Sequence, residues 1–211
     1  MDTGDPVGQG LVASLARSGN NVTGQSLMRQ DMAAKQLQML KEAIPKATKI
    51  AVLQQTEYNL HLQQMAEIER VAVGLGVSVL ALPAGIVQDL PHLFDDMKKA
   101  AVDSYLVLNE PRTDAMRGEI AALALRHRLP GMAQDRRYVE AGGLLCYGVN
   151  LDAVHRRAAF FVDKILKGAN PADLPVEQPI EFDLVVNLKT AKGLGLTVPQ
   201  SILVQAKEVI E

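Results

Sequence analysis

The chain has 211 residues, enough for one substantial hydrophobic core or for one lobe plus parts of another. Lys and Arg number 22 and Asp and Glu number 24, so the net charge of −2 gives no basic surface for nucleic acid and no polybasic membrane patch. Aromatic residues make up 4% and Trp is absent, which leaves few side chains to stack on bases or sugars. We therefore expect no nucleic-acid partner.

The single cysteine, Cys146, cannot form an internal disulfide or supply a structural zinc cluster. Its position in the apolar run 144–147 predicts a small buried side chain. No apolar run reaches the ~18 residues of a membrane span. Residues 1–20 contain acidic residues and glycines where a signal peptide would have a basic head and a hydrophobic block, so the sequence predicts no signal peptide in this chain.

Residues 1–30 are rich in Gly, Ser and Asn. Apolar residues between Val7 and Leu15 favour a short helix that ends at Gly19. A Rossmann-type lobe normally opens with a buried strand, and the first such strand begins only at residue 49. We therefore assign 1–30 to a crossover and linker segment.

Residues 31–149 alternate between predicted helices and strands. Three predicted helices are capped by Asp31, Asp89 and Thr113, and a fourth begins at about Asn59. The predicted strands are 49–53, 77–82, 105–108, 130–133 and 144–147. Inward-facing helical residues are predicted to include Ala33, Leu37, Leu40, Ile44, Leu62, Met65, Ile68, Ala72 and Ala101. This alternation indicates a doubly wound parallel sheet of the Rossmann-like kind, with helices on both faces.

Residues 150–211 are predicted to form a return helix, an extended connection, a strand and a C-terminal helix. Asn150 caps the return helix, whose apolar stripe includes Ala158, Val162 and Ile165. The strand covers 182–187, and the last helix is predicted to extend through Val209 and Ile210.

Several predicted strands end in hydrogen-bonding side chains. Ligands of open α/β sheets bind beyond the carboxyl ends of the strands, so these positions predict a site for a small polar molecule. The candidate ligand-binding residues are Gln54, Gln55, Thr56, Asn109, Glu110, Asp135, Tyr147 and Asn150. Asn109 and Glu110 are predicted to contact a polar or ammonium group, and Tyr147 to supply a ring wall. For any single residue, ordinary loop polarity is the competing explanation.

A catalytic constellation is hard to assemble. The histidines at 61, 92, 127 and 155 are widely separated, without the close spacing of metal ligands. The sequence contains no Gly-x-Ser-x-Gly elbow, no P-loop and no Gly-x-Gly-x-x-Gly fingerprint. We therefore predict a binding protein that is not an enzyme, with no cofactor and no metal.

Blocks along essentially the whole chain resemble one known family. They are Gly4-Asp5-Pro6-Val7-Gly8, Asn21-Val22-Thr23-Gly24, Arg126-His127-Arg128-Leu129-Pro130, Val139-Glu140-Ala141-Gly142-Gly143-Leu144, Tyr147-Gly148-Val149-Asn150, Leu174-Pro175-Val176-Glu177-Gln178-Pro179 and Asn187-Leu188-Lys189-Thr190-Ala191-Lys192. Together, and in this order, they resemble the ABC transporter substrate-binding proteins of the uncharacterised periplasmic family.

The resemblance implies a type I periplasmic binding protein: two Rossmann-like lobes that close on a small ligand as a hinge moves. It implies an exported, periplasmic receptor that delivers its solute to membrane permease subunits, with amino acids, aromatic ones included, as ligands. Family members carry a signal peptide and a nearly complete first lobe before the Gly4–Gly8 block. We therefore expect a chain truncated at the N-terminus: a second lobe, 31–149, plus return segments of an incomplete first lobe.

Two alternatives stay open at this point. A cytoplasmic doubly wound enzyme would need a cofactor loop or a catalytic pair, and the sequence shows neither. A self-associating remnant without ligand binding would pair its exposed faces with a second copy of the chain, which makes a homodimer that replaces the missing lobe a further expectation.

Overall fold

The computed structural model describes residues 2–3, 5–27, 29–57 and 59–211, and the side chains of residues 2, 3 and 29–31 are not described. Gly4 and the side chain of Asp31, an expected cap, therefore lie outside the described part. The chain divides into two compact units. Unit 1 comprises Met1–Gln30 and Val149–Phe182, and unit 2 comprises Asp31–Gly148 and Asp183–Glu211. The segment 150–211, expected to be one return region, is thus divided between the two units.

Unit 2 is built on a seven-stranded, mostly parallel sheet. Its strands are β3 (Lys49–Gln54), β4 (Ser78–Pro83), β5 (Ser104–Val107), β6 (Gly131–Ala133), β7 (Leu145–Val149), β9 (Phe182–Asn187) and β10 (Glu208–Ile210), in the spatial order β10-β9-β7-β6-β5-β3-β4. The strands β4, β3, β5, β6 and β7 run in the same direction, so their carboxyl ends meet at one edge of the sheet. The strand β9 runs antiparallel to β7, since the Asn150 backbone donates to the Glu181 carbonyl and the Asn187 backbone donates to the Leu144 carbonyl, and β10 runs parallel to β9.

Helices cover both faces of this sheet. They are α1 (Arg29–Ala43), α2 (Asn59–Leu75), α3 (Leu90–Lys99), α4 (Pro111–Ala115), α5 (Arg117–His127), α6 (Arg136–Glu140), α8 (Leu188–Leu194) and α9 (Gln200–Gln205), with a 3-10 turn at Val87–Asp89. In β3, Ile50 and Val52 join one cluster of buried side chains, and the intervening Ala51 joins the other. Burial on both faces explains the continuous apolar runs that predicted these strands.

Two tyrosines form a polar contact inside one of these clusters. The hydroxyl groups of Tyr105 and Tyr138 lie 2.5 Å apart, and both side chains are buried. Burial raises the pKa of both phenols, so they stay protonated. A Cβ added to Gly131 would lie 2.2 Å from the Tyr105 ring, so this neighbouring strand needs glycine at that point.

Unit 1 contains a three-stranded parallel sheet in the order β1-β2-β8. Its elements are β1 (Asp2–Thr3), β2 (Gly24–Ser26), α7 (Leu151–Leu166), a 3-10 turn at Pro171–Asp173 and β8 (Val176–Glu177). The Ser18 hydroxyl donates to the Pro171 carbonyl over 2.9 Å, and the Thr23 hydroxyl donates to the Pro175 carbonyl over 2.9 Å. Such bonds hold the N-terminal segment beside the residues that precede β8.

The helix expected between Val7 and Leu15 does not form. The described segment 5–23 consists of turns and bends, and Val7 and Leu11 are exposed. The Asp5 carboxylate accepts a hydrogen bond from the Gly8 backbone over 2.8 Å, which favours a turn over a helix. Local side-chain hydrogen bonds therefore outweighed the weak apolar periodicity.

Three expected helix details were wrong. The helix after β5 begins at Pro111 with Glu110 as its N-cap, so Thr113 is not the cap. Leu62 is 51% exposed, because His61 and Gln64 take the buried positions of the α2 face. Ala101 lies beyond the end of α3 in a left-handed conformation, with a φ of 52°.

The predicted C-terminal helix is divided into a helix and a strand. Only Gln200–Gln205 are helical, and Glu208–Ile210 form β10, which pairs in parallel with β9. A short apolar run fits a helix or a strand equally well. Here the segment forms a strand because the edge of β9 provides hydrogen-bond partners for its backbone.

The predicted apolar stripe of α7 is only partly buried. Val154 and Phe161 are buried within unit 1, whereas Ala158, Val162 and Ile165 are exposed. Leu166 is 82% exposed at the end of the helix.

Candidate functional site

Three carboxamide side chains lie at the carboxyl edge of the sheet in unit 2. Gln54 is the last residue of β3, Asn109 follows β5, and Gln134 follows β6. These strands are consecutive neighbours in the sheet, in the order β6-β5-β3. The sequence-based expectation that polar strand ends meet at one edge is therefore met for Gln54 and Asn109, and Gln134 lies beside the expected Asp135.

Two of these carboxamides have buried atoms without hydrogen-bond partners. The Gln54 side chain belongs to a residue that is 6% exposed, and its Oε1 has no partner among the described residues. The Nε2 of Gln134 is likewise buried and unpaired within the described part of the chain. Asn109 is half-buried. Because an unmet buried donor or acceptor costs free energy, each such atom is suited to bind a ligand atom.

Gln55 and Thr56 have different surroundings from Gln54. The Gln55 backbone donates a hydrogen bond to Nδ1 of His61 over 2.8 Å, and its side chain donates to the Ala84 carbonyl. Thr56 is exposed in the following turn. Gln55 therefore holds the β3–α2 loop against the residue that follows β4.

The Glu110 carboxylate binds the backbone of its own helix. Its Oε1 accepts from the backbone N–H of Arg112 over 3.0 Å and of Thr113 over 3.1 Å. The Thr113 hydroxyl in turn accepts from the Glu110 backbone over 3.0 Å, completing a reciprocal capping box. Glu110, which was predicted to contact the ligand because it follows a strand, is therefore also the residue that caps the start of α4.

Asp135 is the N-cap of α6 and is buried. Its Oδ1 accepts from the Arg137 backbone over 2.8 Å, and its Oδ2 lies 2.6 Å from Nη2 of the Arg137 guanidinium. Burial acts to raise the pKa of Asp135, but these hydrogen bonds outweigh it and leave the pKa below its ordinary value. The carboxylate is therefore ionised and paired at neutral pH.

Tyr147 and Gln36 form a contact that the sequence did not predict. Gln36 of α1 is fully buried, its Nε2 donates to the Tyr147 carbonyl over 2.7 Å, and its Oε1 is unpaired among the described residues. The Tyr147 side chain is half-buried against the surrounding apolar cluster. The sequence did contain a signal for the burial of Gln36, because this residue lies three positions after Ala33 on the apolar face of the predicted helix.

A close backbone approach positions Gln134. A Cβ added to Gly148 of β7 would lie 1.8 Å from the Gln134 carbonyl oxygen. Glycine at 148 therefore allows the β6–α6 loop to lie directly against β7.

Asn150 belongs to unit 1, whereas the other candidates belong to unit 2. Its Oδ1 accepts from the Ala153 backbone over 2.7 Å and caps α7, as expected. Asn150 also lies on the wall of a cavity in unit 1 whose volume is about 560 Å³.

The candidate residues at the sheet edge are hydrogen-bonding side chains. No group of three or more His, Cys, Asp and Glu side chains in the described ranges could hold a metal ion. Burial raises the pKa of the Cys146 thiol to about 12. Within the described part, no helix is long and apolar enough to cross a bilayer.

A doubly wound, mostly parallel sheet with polar side chains at the carboxyl edge is the arrangement in which open α/β proteins bind ligands. The sequence profile described as ABC transporter substrate binding protein matches residues 1–210. The chain therefore belongs to the family of ABC transporter substrate binding proteins, as the sequence blocks indicated.

Individual relatives agree with this assignment. A protein named tyrosine-binding protein from Clostridioides difficile (strain R20291) is 28% identical over an alignment of 204 residues, covering 91% of this chain and 55% of the relative. The structure of an ABC domain in complex with L-Trp from Streptococcus pneumoniae is 27% identical with a TM-score of 0.84, covering 98% of this chain and 70% of that one.

A conserved domain protein from Vibrio cholerae O1 biovar eltor is 25% identical with a TM-score of 0.86, covering 98% of this chain and 69% of that one. The fold is thus that of a type I periplasmic binding protein. The chain spans about half the length of the curated relative that it matches and about 70% of these solved chains.

Proposed function

We propose that this chain is part of the solute-binding component of an ABC importer and binds a small polar solute, an amino acid that can be aromatic, at the carboxyl edge of the unit 2 sheet. The observation that carries the proposal is the set of carboxamides Gln54, Asn109 and Gln134 on three neighbouring strands. Together they offer acceptors and donors at fixed positions, which orient a small polar molecule without reacting with it.

The relatives support an amino acid as the ligand. One is named for tyrosine, and another was crystallised with L-Trp. In this proposal Gln54 and Asn109 contact the ligand, and Tyr147 supplies a ring wall. Glu110 and Asp135 act mainly by fixing the starts of α4 and α6, while Gln55 and Thr56 form the adjoining loop. Asn150 belongs to unit 1, where it caps α7.

The partners follow from the family. A substrate-binding protein receives its solute outside the cytoplasm and passes it to permease subunits in the membrane. We therefore place this chain in the periplasm or an equivalent extracytoplasmic space, as part of a transport system that leaves the solute chemically unchanged.

Replacement of Gln54 by methionine tests the proposal. Gln54→Met keeps the side-chain volume but removes the buried Oε1, so the melting temperature should stay the same or rise because an unpaired acceptor is lost. Binding of L-tyrosine or L-tryptophan, measured by calorimetry, should weaken about tenfold or more. Gln134→Met should likewise keep or raise the melting temperature and weaken binding of the same ligands.

The control is Gln38→Met, which changes an exposed glutamine of α1. It should leave affinity unchanged. If Gln54→Met and Gln134→Met retain the parent affinity, or if no amino acid binds the parent chain, the proposed site is wrong.

Self-association is a second candidate function, favoured by the exposed apolar side chains of unit 1. Ile180 is 90% exposed, and Phe160, Val162 and Leu166 are also exposed. Light scattering with size-exclusion chromatography would show a homodimer if a second copy covers these side chains, and Leu166→Glu should then shift the dimer toward monomer. A monomeric parent chain at all concentrations would contradict this.

A further inference from the structure

Gln36 of α1 is a buried side chain whose hydrogen-bonding capacity is only half met. It is 0% exposed, and its Nε2 donates to the Tyr147 carbonyl over 2.7 Å. Its Oε1 is buried and has no partner among the described residues. A buried acceptor without a partner costs free energy that an apolar side chain of similar volume would avoid. The stability of α1 therefore does not explain a glutamine at this position.

The Gln36 amide is bonded to the carboxyl end of β7. The pairing between β6 and β7 has Ala133 opposite Cys146 as its last pair, so Tyr147 lies one residue beyond it. At that point β6 has ended, and the chain continues into the loop that leads to α6. The hydrogen bond from Gln36 therefore holds β7 at a point where β6 no longer does.

The Tyr147 carbonyl belongs to the peptide that joins Tyr147 to Gly148. Because a peptide is planar, fixing the direction of this carbonyl also fixes the Gly148 Cα. A Cβ added to Gly148 would lie 1.8 Å from the Gln134 carbonyl oxygen, so this Cα packs directly against the Gln134 backbone. One hydrogen bond from Gln36 thus acts on two residues of the proposed site, Tyr147 and Gln134.

We infer that Gln36 is a positioning residue of the proposed ligand site. It orients the Tyr147–Gly148 peptide, which holds the Tyr147 ring and the Gln134 carboxamide where the solute binds, and it does not itself touch the solute. The inference rests on the proposed function and adds to it a buried residue of α1. A site that is ordered before binding loses less conformational entropy in the complex, so removal of this bond should weaken binding.

Two substitutions change the Gln36 side chain at nearly constant volume. Gln36→Met has no hydrogen-bond donor at any pH. Gln36→Glu has a donor only while its carboxyl group is protonated, and burial raises the pKa of such a group. Gln38→Glu makes the same chemical change at an exposed position of the same helix and is the matched control.

Binding of L-tryptophan, measured by calorimetry and compared with the parent chain at each pH, is the first readout. Gln36→Met should weaken binding about tenfold at every pH. Gln36→Glu should bind like the parent at about pH 5 and like Gln36→Met at about pH 9, because the donor is lost as the carboxyl group ionises. Gln38→Glu should follow the parent throughout. The two forms of Gln36→Glu differ by one proton, so their comparison does not depend on how well Gln36→Met folds.

The Tyr147 carbonyl can also be observed without any ligand. The chain has four tyrosines, and only Tyr147 precedes a glycine. Isotopic labelling of the tyrosine carbonyl carbons and the glycine nitrogens therefore gives one NMR cross-peak, from the Tyr147–Gly148 peptide. The carbon shift of this peak should differ from the parent in Gln36→Met at every pH and in Gln36→Glu only at high pH, and Gln38→Glu should keep the parent shift.

The outcomes distinguish this inference from the proposed function. If Gln54→Met weakens L-tryptophan binding and Gln36→Met binds like the parent, the positioning role is overturned and the proposed function stands. If Gln36→Glu matches Gln36→Met in affinity at every pH, the hydrogen bond does not position the site, and the inference is again overturned. If the parent chain binds no amino acid, both proposals fail.

Discussion

The Glu110 carboxylate accepts a hydrogen bond from the Thr113 backbone, and the Thr113 hydroxyl accepts one from the Glu110 backbone. This reciprocal pair begins α4 at Pro111, whose missing N–H is no loss at the first helical position. A residue chosen from the sequence as a leading ligand contact therefore has a structural role that can be tested separately.

Glu110→Ala should lower the free energy of unfolding by about 0.5–2 kcal/mol, the usual cost of losing an N-cap. Chemical denaturation monitored by circular dichroism measures this change. Glu69→Ala, at an exposed position of α2, is the control and should change stability by less than about 0.5 kcal/mol. Equal stability of Glu110→Ala and the parent would show that the capping box contributes nothing.

Asp135→Asn should make the free energy of unfolding less dependent on pH in the acid range. The folded-state pKa of Asp135 is lowered from an ordinary 3.8, so its ion pair stabilises the fold above that pH and is lost as pH falls through the folded-state pKa. Asparagine can still cap α6, so the variant should lose about 1 kcal/mol or more at pH 7 and match the parent near pH 2.

Asp163→Asn, which removes an exposed ion pair with Lys167, is the matched control. Its effect should stay below about 1 kcal/mol. Urea denaturation between pH 2 and pH 7 measures the free energy of unfolding of both variants. If Asp135→Asn is still less stable than the parent at the lowest pH, the proposed role of the ionised Asp135 is contradicted.

Gly148→Ala should destabilise unit 2, because the new Cβ would overlap the Gln134 carbonyl, which is backbone and cannot rotate away. A loss of about 1–3 kcal/mol is expected, together with weaker ligand binding if Gln134 is displaced. Gly74→Ala has open space around its Cβ in α2 and should raise stability by about 0.5–1 kcal/mol. Thermal melts measure both alanine variants. If the melting temperatures of Gly148→Ala and Gly74→Ala change in the same direction, the predicted difference between the two sites is contradicted.

The Cys146 thiol should be inert in the folded chain. It is fully buried, and burial raises its pKa to about 12, so little thiolate is available to react. Ellman's reagent at pH 8 should label it only after denaturant unfolds unit 2. Ala141→Cys in a Cys146→Ala background places a thiol at an exposed position and should react at once. Rapid labelling of native Cys146 would show that the thiol is accessible.

The sequence predicted most of unit 2 because its strands and helices carry strong periodicity. Strands buried on both faces, such as β3 and β5, read as continuous apolar runs, and Leu37 and Ile68 mark the buried faces of α1 and α2. The C-terminal strand was missed since Val209 and Ile210 fit a helix equally well, and only the edge of β9 decides the outcome.

The polar edge was predicted in part. Parallel topology alone placed Gln54 and Asn109 at the same end of the sheet. Sequence could not separate a ligand contact from a helix cap, because Glu110 and Asp135 occupy positions where both roles favour a carboxylate. Gln36 was missed, since its importance arises from an unpaired buried oxygen that no local pattern reveals.

The discontinuous composition of unit 2 constrains biosynthesis. Its last two strands come from Asp183–Glu211, after the chain has passed through Val149–Phe182 of unit 1. A nascent chain on the ribosome therefore presents β7 with an open, apolar flank until the residues of β9 have been synthesised. Chaperones that shield unpaired strand edges would act during the interval between the synthesis of β7 and that of β9.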